Sequence, residues 1–392
     1  MSILNPSECS GCMACYNICP VDAIIIKSDL KGFYYPEIND DICLHCNKCT
    51  NTCPLLHVDN VDFHSPITSY IGKNSDEMRK KSSSGGIFSL LSDQTLKNNG
   101  VVYGAKFNSD LNVEHGKAKT IEERDEFCGS KYIQSNIGNA FRSVKEELEK
   151  DNNVFFSGSA CQVAGLLRYL EIERCNTDKL VTQDFVCHGV GSPSFFHDYL
   201  AEFEKKYKAK VIKVNFRGKP KKGKLSNTII DFDNGKHYIA ISVKCDIFYY
   251  HFLNNYILRP SCYNCKFAKC ERVSDFTLGD CYNPNKVGVE DDGKGLSFIQ
   301  VNTEKGQAFL KDCINKAEFH EIGVNKYYHP NMHHASTENK DGEAFWNEYT
   351  KNGYASAIRK YGNKNIKNSI QKTIAVIVYY LGLEDIVKRL FK

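Results

Sequence analysis

Eight cysteines in the first 53 residues fall into two copies of one spacing, Cys9-x2-Cys12-x2-Cys15-x3-Cys19-Pro20 and Cys43-x2-Cys46-x2-Cys49-x3-Cys53-Pro54. Three thiolates at two-residue intervals wrap one face of an iron-sulfur cube. The fourth, pushed outward by the turn before proline, reaches the neighbouring cube. The spacing therefore assigns Cys9, Cys12, Cys15 and Cys53 to one [4Fe-4S] centre, and Cys43, Cys46, Cys49 and Cys19 to another. Structural zinc prefers two separated pairs with a long spacer, and disulfides need an oxidising compartment. Neither accounts for a repeated triplet closed by Cys-Pro.

A chain of 392 residues exceeds the usual span of one domain. A small cluster module plus one or two larger units, each burying its own core, is expected. The balance of 51 basic against 47 acidic residues is too even to argue for nucleic acid or a polyanionic partner. The basic stretch 219–224 reads as a solvated loop. Met1 to Ser7 contains no apolar run, so no signal peptide is expected and the protein is read as cytoplasmic. In that compartment 18 cysteines mean metal or redox chemistry before cross-links. The apolar run 374–381 is shorter than the roughly 20 residues a helix needs to span a bilayer. It reads as a terminal helix docked on the core, with a membrane surface or a partner as the competing contact for its basic end.

The pattern along the chain divides it into a cluster module (1–56), a first α/β region (67–150), a second (151–330) and a helical tail (331–392). Within the module, 23–26 and 33–35 read as short strands. Ile87, Leu90 and Leu91 share one helical face, opened by Ser82-Ser83-Ser84-Gly85-Gly86 and followed by the strand-like 101–103. Residues 136–150 form a helix with a buried stripe, 153–156 a strand, and Val163, Leu166, Leu167 and Leu170 mark the next helix. Another strand, 181–187, leads to Ser192-Pro193, a helix cap with proline at the first position. This alternation argues for an α/β core with largely parallel pairing and functional loops at the carboxyl ends of strands. Strands at 211–216, 228–232 and 237–243 follow, the last two joined by the hairpin turn Asp233-Asn234-Gly235.

Four of the remaining cysteines sit where a loop could present a ligand. Cys161 opens a helix after a glycine turn, Cys187 ends a strand beside His188, and Cys262 and Cys265 form a close pair after Pro260. Together they would make a third four-thiolate site, since helix amino ends favour thiolate. Inert burial is the competing reading for each, Cys270 and Cys281 are competing ligands, and zinc is the competing metal. The turns Ser83-Ser84-Gly85-Gly86 and Ser157-Gly158-Ser159-Ala160 leave N–H groups free at helix starts, which suits a phosphate or a flavin edge. A glycine cap without ligand is the commoner explanation. No Walker lysine and no G-x-G-x-x-G fingerprint occurs. His188 and Asp275 and Asp280 are candidates for proton donation or substrate contact, against structural roles as loop caps.

The segments Ser83-Ser84-Gly85-Gly86-Ile87-Phe88, Gly129-Ser130-Lys131-Tyr132-Ile133-Gln134-Ser135, Gly158-Ser159-Ala160-Cys161-Gln162, Cys187-His188-Gly189 and Cys262-x2-Cys265, with Gly279-Asp280 beyond, resemble the coenzyme F420 hydrogenase/dehydrogenase beta-subunit family over about residues 67–320. The resemblance implies an α+β ferredoxin-like cluster module followed by an α/β core with mixed sheet and a helical C-terminal tail. It implies FAD and a third [4Fe-4S] centre held by Cys161, Cys187, Cys262 and Cys265. It also implies flavin contacts from Ser84, Gly85, Gly86, Lys131, Gln134, Ser157, Gly158, Ser159 and Gln162. Chains with this front module also resemble proteins associated with surface-polysaccharide synthesis. The family's Gly-Thr-Pro-Cys reads Gly158-Ser159-Ala160-Cys161 here, and Cys281-Tyr282-Asn283 stands where Phe-Trp-Gly is common.

The resulting expectation is an FAD- and iron-sulfur-dependent oxidoreductase. Electrons would pass between a ferredoxin or partner subunit and a small-molecule hydride acceptor such as F420, because a flavin converts single electrons into hydride pairs. An electron-carrier subunit without its own substrate is the alternative, as is a zinc-stabilised scaffold.

Overall fold

Each copy of the cysteine motif runs into a short helix, α1 (Ala14–Ile18) and α2 (Lys48–Thr52), and the two backbones match closely. The residues before the helices, Met13 and Asn47, take left-handed φ of 62° and 59°, and the closing cysteines, Cys19 and Cys53, are both extended. Between the helices lie β1 (Ile24–Ser28) and β2 (Tyr34–Ile38), paired antiparallel, so the repeat and its strands stand as the spacing indicates. The computed structural model describes residues 3–219, 227–240, 246–324 and 326–362. The terminal apolar run 374–381 and residues 220–224 of the basic stretch lie outside them.

The core follows in chain order: β3 (Thr68–Lys73), α3 (Asp76–Lys81), α4 (Ile87–Lys97), β4 (Val101–Phe107), β5 (Val113–Ala118), α5 (Ile121–Asp125) and α6 (Ala140–Glu149). Then come β6 (Val154–Ser157), α7 (Ala160–Ile172), β7 (Leu180–Phe185), α8 (Pro193–Tyr207), β8 (Val211–Gly218), β9 (Asn227–Phe232), β10 (His237–Ile239) and α9 (Ile247–Leu253). The remainder is β11 (Phe276–Asp280), β12 (Ser297–Val301), α10 (Glu304–Lys311), β13 (Glu318–Ile322), α11 (Gly342–Asn352) and α12 (Tyr354–Tyr361).

The main sheet has the order β13-β3-β12-β11-β7-β6-β4-β5. Its centre, β11-β7-β6-β4, is parallel and both flanks are antiparallel. The parallel pairing read from β-α alternation is thus confined to the middle. The flanking pairs β4-β5 and β11-β12 are joined by direct connections with no crossover helix, which forces antiparallel pairing. A second sheet, β10-β9-β8, carries the hairpin at Asp233-Asn234-Gly235, where Gly235 takes φ 78°. Ser192 caps α8 by accepting from the Phe195 N–H at 3.0 Å. The helix expected over 136–150 begins at Ala140, because Gly138 takes φ 50° and turns the chain first; Ile137 remains buried on the approach.

Two expectations change. The front module does not bury a core of its own: Cys12, Met13, Ala14 and Ile18 belong to one apolar cluster with Phe141, Val144, Val163 and Leu166 of the main unit. A 56-residue segment built around eight ligands has too few apolar side chains left to close on itself. Arg142 rivets the joint through Nε to the Asn17 carbonyl (2.7 Å) and Nη2 to the Cys19 carbonyl (2.9 Å). Lys219 is not solvated as the basic stretch suggested, since its Nζ donates to the Arg79 and Lys294 carbonyls at 2.6 and 2.9 Å.

Candidate metal centres and cofactor cleft

Left-handed residues between the ligands curl each cysteine loop so that backbone N–H groups face sulfur. Met13 and Gly11 do this in the first copy, His45 and Asn47 in the second. The Ala14 N–H serves Cys12, and the Leu55 and Leu56 N–H groups serve Cys53. Ala23 N–H lies 3.2 Å from Cys19 Sγ and His45 N–H 3.4 Å from Cys43 Sγ. The closing cysteine of each copy lies near the triplet of the other. Burial raises the Cys15 thiol well above its ordinary range, and Cys12, Cys9 and Cys53 push it further in the same direction. Cys49, also raised by burial, feels Cys19 and Cys43.

The two sets differ in exposure. Cys9, Cys12, Cys15 and Cys53 are buried, whereas Cys46 is exposed and Cys19, Cys43 and Cys49 are half-buried. One set faces the main unit and the other faces solvent.

Cys161, Cys187, Cys262 and Cys265 line one cavity of about 330 Å³, closed on the front-module side by Ser10, Gly11, Leu55 and Leu56. Cys161 stands in the first turn of α7 after β6, and Cys187 follows the carboxyl end of β7. Cys262 and Cys265 lie in the turn from Pro260 to Asn264 and just beyond it. Burial raises Cys161 to about 11 and Cys262 to about 12, and each thiol opposes ionisation of the others. Cys187 is raised further by the same causes. Backbone N–H groups of Gly189, Val190, Phe267 and Ala268 favour the ionised forms. Half-buried thiols that line one cavity, repel one another and yet are met by N–H donors form a donor set suited to a cationic iron centre, which would replace their protons.

Cys270 and Cys281 do not join the set. Cys270 lies 3.6 Å from the His333 ring, and both pack on the apolar cluster of Ile71, Phe298 and Tyr327. Among the described residues no group of three or more His, Cys, Asp or Glu side chains is gathered tightly enough to hold a single metal ion. A four-iron centre is larger and holds its thiolates farther apart. The third set is also adjacent to the first: the Cys12 thiol feels Cys161, and Gly165 of α7 packs directly on Cys12, where an added Cβ would stand 2.9 Å from Sγ.

The residues implied as flavin contacts fall into two groups. Ser84, Gly85 and Gly86 form a loop on β12, with Ser84 Oγ donating to the Leu296 carbonyl (2.6 Å) and Gly85 N–H to Ser297 Oγ (2.9 Å). A Cβ on Gly85 would meet the Gly72 carbonyl at 2.4 Å, so only glycine fits there. Ser83 Oγ accepts from the Ser130 N–H at 2.7 Å, which brings Lys131 beside this loop. Burial lowers Lys131 to about 8 while its Nζ donates to the Glu126 and Cys128 carbonyls.

Gln134, Ser159 and Gln162 instead line the cysteine cavity. Gln162 Oε1 accepts from the Ser159 N–H at 2.9 Å and caps α7. Ser157 donates to Gln183 at 2.8 Å, and Gly158 packs on Phe156 and Gln162. His115 links the groups. Its Nε2 lies 3.2 Å from the Ser157 carbonyl, its Nδ1 3.1 Å from Ser135 Oγ, and burial lowers it to about 4, with Lys131 adding to the shift. His115 and Arg259 were not singled out from the sequence. Neither sits in a motif, and only folding brings β5 and the segment before Pro260 to this site.

Asp275 is a structural cap, accepting from Thr182 N–H and Oγ1 at 2.8 and 2.9 Å. Asp280 holds Arg217 and accepts from Tyr282 OH at 3.1 Å. His188 Nδ1 lies 3.4 Å from Ser336 Oγ, and its Nε2 is buried in the cavity wall, with no hydrogen-bond partner among the described residues.

Comparison with known proteins adds matches of three kinds: family models, curated relatives and a solved structure. Residues 151–326 match the family model for the carboxyl-terminal region of the coenzyme F420 hydrogenase/dehydrogenase beta subunit, and residues 8–55 match a 4Fe-4S dicluster domain. The chain is 23% identical over 344 residues to the F subunit of F(420)H(2) dehydrogenase from Methanosarcina mazei, covering 81% of this chain and 86% of that protein. It is 42% identical over 53 residues to pyruvate synthase subunit PorD of Thermotoga maritima, covering 13% of this chain and 48% of that protein. Among solved structures, a chain of the F420-reducing [NiFe] hydrogenase complex from Methanosarcina barkeri aligns with TM-score 0.46 and 16% identity, over 76% of this chain and 91% of that one.

Proposed function

We propose that the chain is an iron-sulfur flavoprotein oxidoreductase of the coenzyme F420 hydrogenase/dehydrogenase beta-subunit family, a reading supported by the match of residues 151–326 to that family's carboxyl-terminal model and of residues 8–55 to a 4Fe-4S dicluster domain. It passes electrons between a ferredoxin or partner subunit and a hydride acceptor such as coenzyme F420. Cys9, Cys12, Cys15 and Cys53 hold one [4Fe-4S] centre, Cys43, Cys46, Cys49 and Cys19 a second, and Cys161, Cys187, Cys262 and Cys265 a third. The Ser84-Gly85-Gly86 loop, Lys131 and Gln134, and the turn from Ser157 to Gln162 hold FAD. The centres supply one-electron steps and the flavin supplies the exchange between one-electron and hydride chemistry.

The observation that carries this reading is the adjacency of the cysteine sets, the first of them standing against the cavity that the third set lines. Cys46 meets solvent, the Cys9 set is buried, and Cys12 touches α7, whose first turn presents Cys161 to the shared cavity. The residues thus give a partner protein access at one end and lead past buried sulfur to the cavity at the other. Lys131 and the helix starts at Gly86 and Ser159 bring donors and positive potential to an anionic cofactor. The likeness to the F(420)H(2) dehydrogenase chain, which runs over most of both proteins, supports a role inside an oxidoreductase assembly.

A second reading is an electron-transfer subunit without its own substrate. The exposed Ile42 and Leu44 beside Cys46 favour it, since they suit a protein partner. A cytoplasmic location is part of the same proposal, resting on the abundance of cysteine read as metal ligands; among the described residues no helix is long and apolar enough to cross a membrane.

Anaerobic purification with iron, sulfide and flavin assays tests both readings. About twelve irons, four per centre, with near-stoichiometric FAD and reduction of F420 or a nicotinamide support the enzyme. Full iron without flavin leaves the carrier, and zinc in place of iron rejects both. A sugar-linked substrate, suggested by the polysaccharide resemblance, is assayed in the same preparation.

A further inference from the structure

Arg259 is fully buried, and among the described residues no carboxylate pairs with it. Its Nε donates to the Cys9 carbonyl at 2.8 Å and its Nη1 to Gln134 Oε1 at 3.0 Å, while Nη2 is buried and among the described residues meets no hydrogen-bond partner. Its backbone belongs to the third set: the Arg259 carbonyl accepts from the Cys262 N–H at 2.9 Å, and its own N–H donates to Val190, whose N–H serves Cys262. Gly11, between Cys9 and Cys12, takes φ 71° and has no Cβ. One added there would stand 2.5 Å from Gln134 Nε2 and 3.1 Å from Arg259 Cζ. The guanidinium is therefore wedged between the first loop of the front module and the third cysteine set, stacked 4.1 Å over the Tyr35 ring. A buried cation without a counter-ion is costly. What stands on both sides of this one is a cysteine set: the Arg259 side chain holds the Cys9 loop through the Cys9 carbonyl, and its backbone holds the Cys262 turn.

Resting on the proposed iron-sulfur reading, we infer that Arg259 is the shared counter-ion of the first and third cysteine sets, a positioning residue that makes both centres easier to reduce. Added negative charge on reduction is stabilised by a nearby buried cation, and net charge and hydrogen bonding to sulfur are the levers by which a protein shifts such potentials. Gln134 fits the same role, orienting the guanidinium through Oε1. That oxygen also accepts from the Tyr34 N–H at 2.9 Å and so ties the front module to the cavity wall.

The test uses the full chain, purified anaerobically with its iron, as Arg259→Gln and Arg259→Lys, read by electron paramagnetic resonance during a redox titration. In Arg259→Gln the reduced-to-oxidised ratio at fixed potential falls about tenfold for two of the three centres, which is about 59 mV for a one-electron couple. The Cys43, Cys46, Cys49 and Cys19 centre does not move, and Arg259→Lys stays within threefold of wild type. Full iron with unmoved ratios in Arg259→Gln overturns the inference. Should that variant lose iron, Arg259→Lys decides: iron retained and near-native ratios uphold the charge role, and iron lost despite the kept charge overturns it. About eight irons in the wild type would instead remove the third centre and the underlying reading with it.

Discussion

Replacing Gly165 by alanine sets two effects of known sign against each other. Gly165 lies inside α7, where alanine is better than glycine by roughly 1 kcal/mol through helix propensity alone. The new Cβ would stand 2.9 Å from Cys12 Sγ, 3.0 Å from Cys12 Cβ and 3.4 Å from the Phe141 ring. The first of these is roughly 0.8 Å inside ordinary heavy-atom contact. Overpacking of this kind costs roughly 1–3 kcal/mol, and the Cys12 loop cannot retreat because its sulfur is a ligand of the proposed first centre. The net expectation is a loss of roughly 1 kcal/mol and a melting temperature lower by about 2 °C. Because the clash falls on Cys12, iron release to a chelator should quicken before the global transition moves. Calorimetry under argon and a chelator chase measure the two. A Gly165→Ala protein that melts higher, with full iron and an unchanged chase, would refute the direct seating of α7 on the first cysteine loop.

Cys161→Ser should lower iron from about twelve to about eight per chain and leave the signals of the front module intact, as read by iron assay and paramagnetic resonance. Arg272 Nη2 and Asp184 Oδ2 pair at 3.0 Å with both side chains buried, and Nη1 also holds the Phe267 and Lys269 carbonyls. Arg272→Met should cost about 3–5 kcal/mol in urea unfolding, and Arg272→Met with Asp184→Leu should recover most of it; a single variant as stable as wild type would reject the pair. Burial lowers His251 from 6.5 to about 4, so the folded state binds fewer protons than the unfolded one between those values. Its stabilisation is complete above pH 6.5 and is lost as pH falls toward 4, worth roughly 3 kcal/mol at most. The difference in unfolding free energy between wild type and His251→Phe, measured at pH 7 and pH 5, should shift with that sign; a pH-independent difference would sink it.

Much of the local structure was legible because it rests on short-range rules. The Ser192-Pro193 cap, the Asp233-Asn234-Gly235 turn and the buried stripe of α7 each follow from neighbours within a few residues. The antiparallel flank β13-β3-β12 of the main sheet was not legible, since its pairing to β3 joins residues more than two hundred positions apart. Where the proposed flavin residues stand relative to one another was likewise not legible. Gln134 shares a motif with Lys131, yet its amide faces Arg259 and the cysteine cavity while Lys131 sits beside the Ser83 loop.

By itself the sequence determined the candidate ligand sets of the front module, because the reach of three closely spaced thiolates and a Cys-Pro turn is a property of a few consecutive residues. It also marked Cys161, Cys187, Cys262 and Cys265 as a candidate set without showing that they meet. Only the tertiary structure decided that they line one cavity, that Cys270 and Cys281 stand elsewhere, and that Arg259 is sealed between two cysteine sets. Convergence of distant segments is set by how helices and strands pack, and packing is a property of the whole chain.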